Sequence, residues 1–190
     1  MRKTRRSGFI YGLVVIGLAT SLVSITDTSQ AASGNGPYYA EPAWDQKLPA
    51  ATRFVVLTDW NSEAVLDRET GLVWEKSPTT TLFTWYDART QCTNRTTGAR
   101  KGWRLPSVHE LASLVDPSVG SPGPTLPPSH PFANVQAIEL FWYWSASLHA
   151  EFQNFVWNVS FFDGRVSTTT DKLTTNFVWC VRGGNSGDRY

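Results

Sequence analysis

Histidine, cysteine and net charge are all scarce in this chain, and each scarcity excludes a class of chemistry. The three histidines, His109, His130 and His149, fall one on a helical pattern and two in loops, with no ligand spacing between them. A zinc centre would lack partners, and no metal or cofactor is expected. The 17 basic residues are balanced by 16 acidic ones, so no overall basicity points to nucleic acid. Gly184-Asn185-Ser186-Gly187 lacks Gly-x-Ser-x-Gly spacing and sits in a tail, which excludes it as a nucleophile loop. The carboxylate pairs Glu63 with Asp67 and Glu69 with Glu75 lie on or near a hairpin, where a solvated face accounts for them. Acid/base chemistry needs carboxylates confined in a cleft, and with no such confinement legible the chain is expected not to be an enzyme.

What is present begins with an address. Arg2, Lys3, Arg5 and Arg6 precede an apolar stretch over residues 9–25, and Ser29-Gln30-Ala31 leads into Ala32. This pattern predicts a secretory signal over residues 1–31, cut after Ala31 and leaving no membrane span; the alternative is a single membrane anchor of the same stretch. Cleavage would leave 13 basic against 15 acidic residues, a slightly acidic chain long enough for one domain with a real core. The organisation expected is an extended Gly/Pro/Ala-rich arm over 32–52, a domain over 53–183 and a flexible tail over 184–190.

Cys92 and Cys180 are the only cysteines, and both lie within apolar patterns of an exported chain, which predicts a disulfide, with two buried thiols as the alternative. Residues 54–57 read as a short strand, and 64–67 with 71–75 as a hairpin whose turn offers Gly71 for a positive φ. Thr84 followed by Asp87 marks a helix start, with Trp85, Ala88 and Cys92 on one face. Residues 93–101 read as a polar loop. Ser107 and Glu110 then match a capping box behind Pro106, and Val108, Leu111, Leu114 and Val115 give an apolar helical face that Pro117 ends. Residues 116–131 hold six prolines and can form neither helix nor central strand. Strands are expected at 141–147 and 155–161, with a hairpin turn at Asp163-Gly164, and one closing central strand is expected over 176–182. The fold class is therefore α+β, with helices segregated from a mostly antiparallel sheet.

The ordered series Thr70-Gly71-Leu72-Val73-Trp74, Trp85 with Ala88 and Cys92, Trp103-Arg104-Leu105-Pro106 with Glu110, Tyr143-Trp144-Ser145, Trp157-Asn158-Val159 before Gly164, and Trp179-Cys180-Val181-Arg182 resembles the Lcl C-terminal domain family. That family of bacterial exported proteins is named after the C-terminal domain of a collagen-like adhesin, and the likeness covers about residues 66–183. The Arg-Leu-Pro-x-x-x-Glu portion is also similar to the formylglycine-generating enzyme superfamily. That likeness implies a C-type-lectin-like fold: two helices around a twisted, mostly antiparallel sheet, with one disulfide here. Trp103, Arg104, Leu105, Pro106, Glu110 and Arg182 carry over as scaffold, with Glu110 expected to pair with whichever arginine is buried. Once Cys92 and Cys180 are bonded no reactive cysteine pair is left, and Trp157-Asn158 is followed by Val159 rather than the acid of a calcium-dependent lectin site.

Two features point to binding. Between Asp87 and Glu110 the chain carries Arg89, Arg95, Arg100, Lys101 and Arg104 without an acid; with Arg104 set aside as scaffold, the other four form the proposed contact set for a polyanion. A solvated loop is the competing reading. Of nine tryptophans, Trp74, Trp85, Trp103, Trp157 and Trp179 fall on core positions. Trp44, Trp60 and one of Trp142 or Trp144 are freer to stack on a sugar face or to be partly buried. The resemblance implies adhesion, the namesake domain being associated with sulfated glycosaminoglycans. The function expected is an exported, adhesin-like module for a glycan or acidic polymer, and the alternative is a structural protein of the envelope.

Overall fold

The computed structural model describes residues 48–184. The expected signal, most of the arm with Trp44, and most of the tail lie outside them. The end of the arm is not extended: Pro49, with its fixed φ, opens one helical turn, α1 (Ala50–Arg53), and its carbonyl accepts from Thr52 and Arg53 at 2.9 Å each. The strand β1 (Phe54–Val56), a 3-10 turn (Thr58–Trp60) and the hairpin of β2 (Ala64–Asp67) and β3 (Leu72–Glu75) follow. Gly71 closes that hairpin at φ 67°, a conformation costly for a residue with a Cβ.

Sequence reasoning passed over β4 (Thr79–Phe83). Its three threonines favour strand by β-branching, but they lack the apolar alternation that marks one. The helix α2 (Trp85–Asn94) starts where expected: Thr84 Oγ1 accepts from Asp87 N at 3.3 Å, and Trp85, Ala88 and Cys92 are its buried face. A second 3-10 turn (Thr97–Ala99) interrupts the polar loop. The capping box then opens α3 (Val108–Ala112), with Glu110 N on Ser107 Oγ at 3.2 Å and Ser107 N on Glu110 Oε2 at 2.8 Å. α3 is shorter than the apolar pattern suggests. Leu114 and Val115 bond back three residues, to Leu111 and Ala112, so the chain tightens while Leu111 and Leu114 stay fully buried.

After the proline-rich loop come β5 (Tyr143–Leu148), β6 (Phe155–Val159) and β7 (Val166–Asp171). The expected closing strand is two strands, β8 (Asn176–Val178) and β9 (Val181–Arg182). They belong to different sheets, a four-stranded one in the order β1-β2-β3-β9 and a five-stranded one in the order β4-β8-β5-β6-β7. The single expected sheet is thus divided. At the step between the sheets Glu75 satisfies the backbone of Cys180: its carboxylate accepts from Cys180 N at 3.1 Å and its N–H donates to Cys180 O at 3.2 Å. Trp179 Nε1 donates to Glu75 O at 2.8 Å. The pairings are antiparallel apart from β5 with β8, which makes the fold α+β and mostly antiparallel. β1 and β9 form the two opposite edges of the four-stranded sheet, with β2 and β3 between them.

One core cluster gathers Trp74, Phe132, Tyr143, Phe161, Phe177 and Trp179, with Trp74 edge-on to Trp179 at 5.6 Å. The other surrounds the Cys92–Cys180 disulfide with Trp85, Trp103 and Trp144. The nominated ion pair also forms: Arg104 Nη1 and Nη2 donate to the two oxygens of Glu110 at 2.8 and 2.6 Å, and Nη2 reaches Gly183 O at 2.7 Å. Glu110→Gln should lower the unfolding free energy by about 1–2 kcal/mol, the loss of a charged partner in a partly exposed fork. An unchanged melting temperature would mean that backbone carbonyls alone hold Arg104.

Candidate functional site

The N-cap at Thr84 sets the first turn of α2 against β5, where Trp85 Nε1 donates to Ser145 O at 2.8 Å. That bond pins the indole with its ring beneath two cations: the Arg89 guanidinium and the Lys172 ammonium each stand 4.8 Å from its centroid. Arg89 is one helical turn after Trp85, so helix geometry alone brings them together. Across from α2, the first turn of α3 is held to β5 by Val108 N on Ser147 Oγ at 3.0 Å. Between them runs a groove of about 600 Å³, lined by Trp85, Arg89, Val108, His109, Ala112, Ala146, Ser147, Leu148, Trp157 and Val166. Its walls are mainly apolar and aromatic, and Arg89 and His109 stand in its lining.

Trp157, expected in the core, is only partly buried and forms a wall of this groove. His149 stacks on it at 6.0 Å and 19°, and the exposed Phe152 lies 5.2 Å beyond His149. A row of rings thus continues from the groove onto the surface. His149 Nδ1 accepts from the backbone N–H of both Glu151 and Phe152, at 3.2 and 3.1 Å, which fixes the turn that carries the row. Concavity, aromatic walls and a few convergent polar groups are what a small ligand site requires.

The proposed contact set does not converge. Arg89 reaches the groove, but Arg95 turns inward to Glu75 at 3.0 Å. Arg100 stacks over Trp60 at 5.3 Å, and Lys101 is exposed. Arg182 also stacks over Trp60, at 5.2 Å, and its Nε donates to Lys101 O at 2.8 Å. Helix α2 followed by a 3-10 turn splays the loop's cations in different directions, which a count of charges along the chain could not foresee. Trp144 is not a stacking ring: it is fully buried beside the disulfide and donates its Nε1–H to Phe83 O at 2.7 Å. Trp142 is half-buried with the Arg165 guanidinium 5.5 Å over its ring.

The hairpin carboxylates also differ from expectation. Glu63 is exposed, but Asp67, Glu69 and Glu75 are buried. Asp67 and Glu69 pair with the equally buried Arg53. Burial pushes the Glu75 carboxyl above the usual carboxylate range, and Arg95, the Cys180 N–H and the Thr97 hydroxyl partly offset this. Each of these three carboxylates is engaged by an arginine and by a backbone N–H, which suits holding segments together. Sequence reasoning missed Trp157 as a groove residue and Lys172 as the second cation over Trp85. Nothing local marks Lys172, and the periodicity that places Trp157 on a strand does not say which side of the sheet is covered.

In comparison with known proteins, a family model described as the Lcl C-terminal domain matches residues 63–182. That stretch contains α2, α3, the disulfide and every residue lining the groove. No curated protein matches the chain.

Proposed function

Since the chain belongs to the Lcl C-terminal domain family, we propose that it is an exported, non-enzymatic, adhesin-like module that binds a glycan or another acidic polymer. The family itself suggests a surface module. The observation that carries the finer reading is the groove between α2, α3 and β5–β7, where aromatic rings sit beside fixed cations. A sugar ring would stack on Trp157, and its acidic substituent would meet Arg89. Export is supported by the basic start, the apolar stretch and the small residues before Ala32. The disulfide fits the same compartment. A C-type-lectin-like description of the fold rests on the motif series around Arg104 and Glu110, whose ion pair serves there as scaffold.

The test is binding of the purified protein to heparin and to a neutral polysaccharide of similar length, beside Arg89→Ala and Trp157→Ala. Heparin is expected to bind in a salt-dependent way, and either substitution is expected to weaken it by about tenfold. Equal retention of both variants would remove the groove from the binding site. The second reading, an envelope structural protein without a small ligand, is favoured by the exposed Leu140 and Leu173. It predicts self-association and no polysaccharide binding at all.

A further inference from the structure

Two polar hollows of about 640 and 300 Å³ meet at Glu63, Arg95 and Thr97, which line both, and neither shares a lining residue with the groove. The larger continues past Lys76, Ser77 and Asn134, the smaller past Gln91 and Asn94 on α2. The fold fixes the charged groups at the junction. Glu75, 4% exposed in its side chain, stands 3.0 Å from Arg95 Nε, and it accepts from Thr97 Oγ1 at 3.0 Å and from Cys180 N at 3.1 Å. Arg95 Nε is buried there, yet 29% of the side chain stays exposed. Among the described residues no acceptor meets its two terminal nitrogens. Glu63 is held by Gly98 N, which donates to Oε2 at 2.7 Å, and its carbonyl accepts from Lys76 N at 2.9 Å. Its Oε1 and the half-buried Lys76 ammonium have no partner among the described residues.

This cleft is set apart by carrying both signs of charge in one concavity without pairing them to each other. Glu63 lines the same two hollows as Arg95 and the same larger one as Lys76, but it makes an ion pair with neither. A simple anion at Arg95 and Lys76 would meet the Glu63 and Glu75 carboxylates, and a simple cation at Glu63 would meet the guanidinium. A molecule with one charge of each sign satisfies both. Among the described residues no aromatic ring lines either hollow, so the platform on which a sugar face stacks is missing. Hydroxyls and side-chain amides line it instead. Asn134 Nδ2 donates to Ser77 Oγ at 2.9 Å, which leaves the Ser77 proton to be donated to a guest. Because Glu75 already restricts Arg95, less rotamer freedom is lost on binding than at a mobile surface arginine.

We propose that this cleft binds a small zwitterion of amino-acid chemistry, one ammonium and one carboxylate on a free amino acid or a short peptide. Arg95 and Lys76 take the carboxylate, the guanidinium through its fork, and Glu63 takes the ammonium. The proposal goes beyond the glycan reading of the groove and does not depend on it. The experiment is an NMR titration of the purified protein at matched ionic strength, following the Arg95 Nε–H and the backbone N–H signals of Thr97 and Gly98. Serine and triserine are the two probes, with N-acetylserine and serinamide as forms lacking one charge. Saturable shifts are expected with a zwitterion, and blocking either end should weaken binding about tenfold. The probe that saturates at lower concentration tells a free amino acid from a peptide. Glu63→Gln keeps an acceptor for Gly98 N and should weaken zwitterion binding about fivefold or more, and Lys76→Ala should weaken it as well. The readout involves neither heparin nor a groove residue, so this site and the groove fail separately. No saturable shift with either zwitterion, N-acetylserine binding as tightly as serine, or Glu63→Gln titrating like the unaltered protein would overturn the proposal.

Discussion

Replacing Cys92 and Cys180 together by alanine should lower the unfolding free energy by about 4–5 kcal/mol, a large part of the ~5–15 kcal/mol that keeps a domain folded. The bond joins residues 88 apart in sequence, and closing so long a loop removes much of the entropy of the unfolded chain. Its position adds to this. Cys92 ends the buried face of α2, and Cys180 sits at the step from the five-stranded to the four-stranded sheet, both fully buried. Cutting the link frees the helix that presents Trp85 and Arg89 from the segment joining the two sheets, so the groove should loosen with the core. Urea unfolding of the double variant measures the effect. A loss under about 1 kcal/mol would mean that packing around Trp103 and Trp144 holds α2 without the bond.

What was legible in the sequence is what local chemistry decides. Thr84 and Ser107 mark helix starts because a capping side chain needs only the next three residues. Gly71 and Gly164 mark hairpin turns because φ is a property of one residue, and they stand at 67° and 77°. The Arg104 and Glu110 pair was legible for the same reason, being six residues apart across one corner. Failure came where a residue's role depends on distant chain. The stretch 176–182 reads as one strand, and only the Glu75 carboxylate, 105 positions before Cys180, shows why its backbone leaves one sheet for the other. The cations of residues 89–101 look like one patch in sequence. The partners that separate them, Glu75 for Arg95 and Trp60 for Arg100, come from β3 and from the turn after β1. Trp142 and Trp144 differ by two residues and should share a face of β5 if it were regular. One is half-buried under Arg165 and the other is buried on the disulfide, because β5 begins only at Tyr143.

The buried arginine at the end of α1 was wholly hidden, and it carries the other large expected effect. Arg53 reads in sequence as an ordinary charged residue at a domain edge, yet its side chain is 1% exposed. Its Nε and Nη2 donate to the two oxygens of Asp67 at 2.9 and 2.8 Å, and Nη2 also donates to Ser113 O at 2.9 Å. Glu69 approaches Nε at 3.1 Å, while its other oxygen accepts from Leu48 N at 3.0 Å. One guanidinium thereby joins α1, the end of β2 and the turn after α3. Removing one member of such a group leaves a charge buried without its partner, at a cost of about 3–5 kcal/mol. Asp67→Ala should therefore destabilise by about that amount, with Glu69 left to hold the arginine. Arg53→Met should cost at least as much, because two buried carboxylates, Asp67 and Glu69, then lose their cation. Denaturant unfolding of the two single variants tests the order. Arg53→Met proving milder than Asp67→Ala would show that backbone donors, such as the Glu69 N–H that reaches Asp67 at 3.0 Å, satisfy these carboxylates without the arginine.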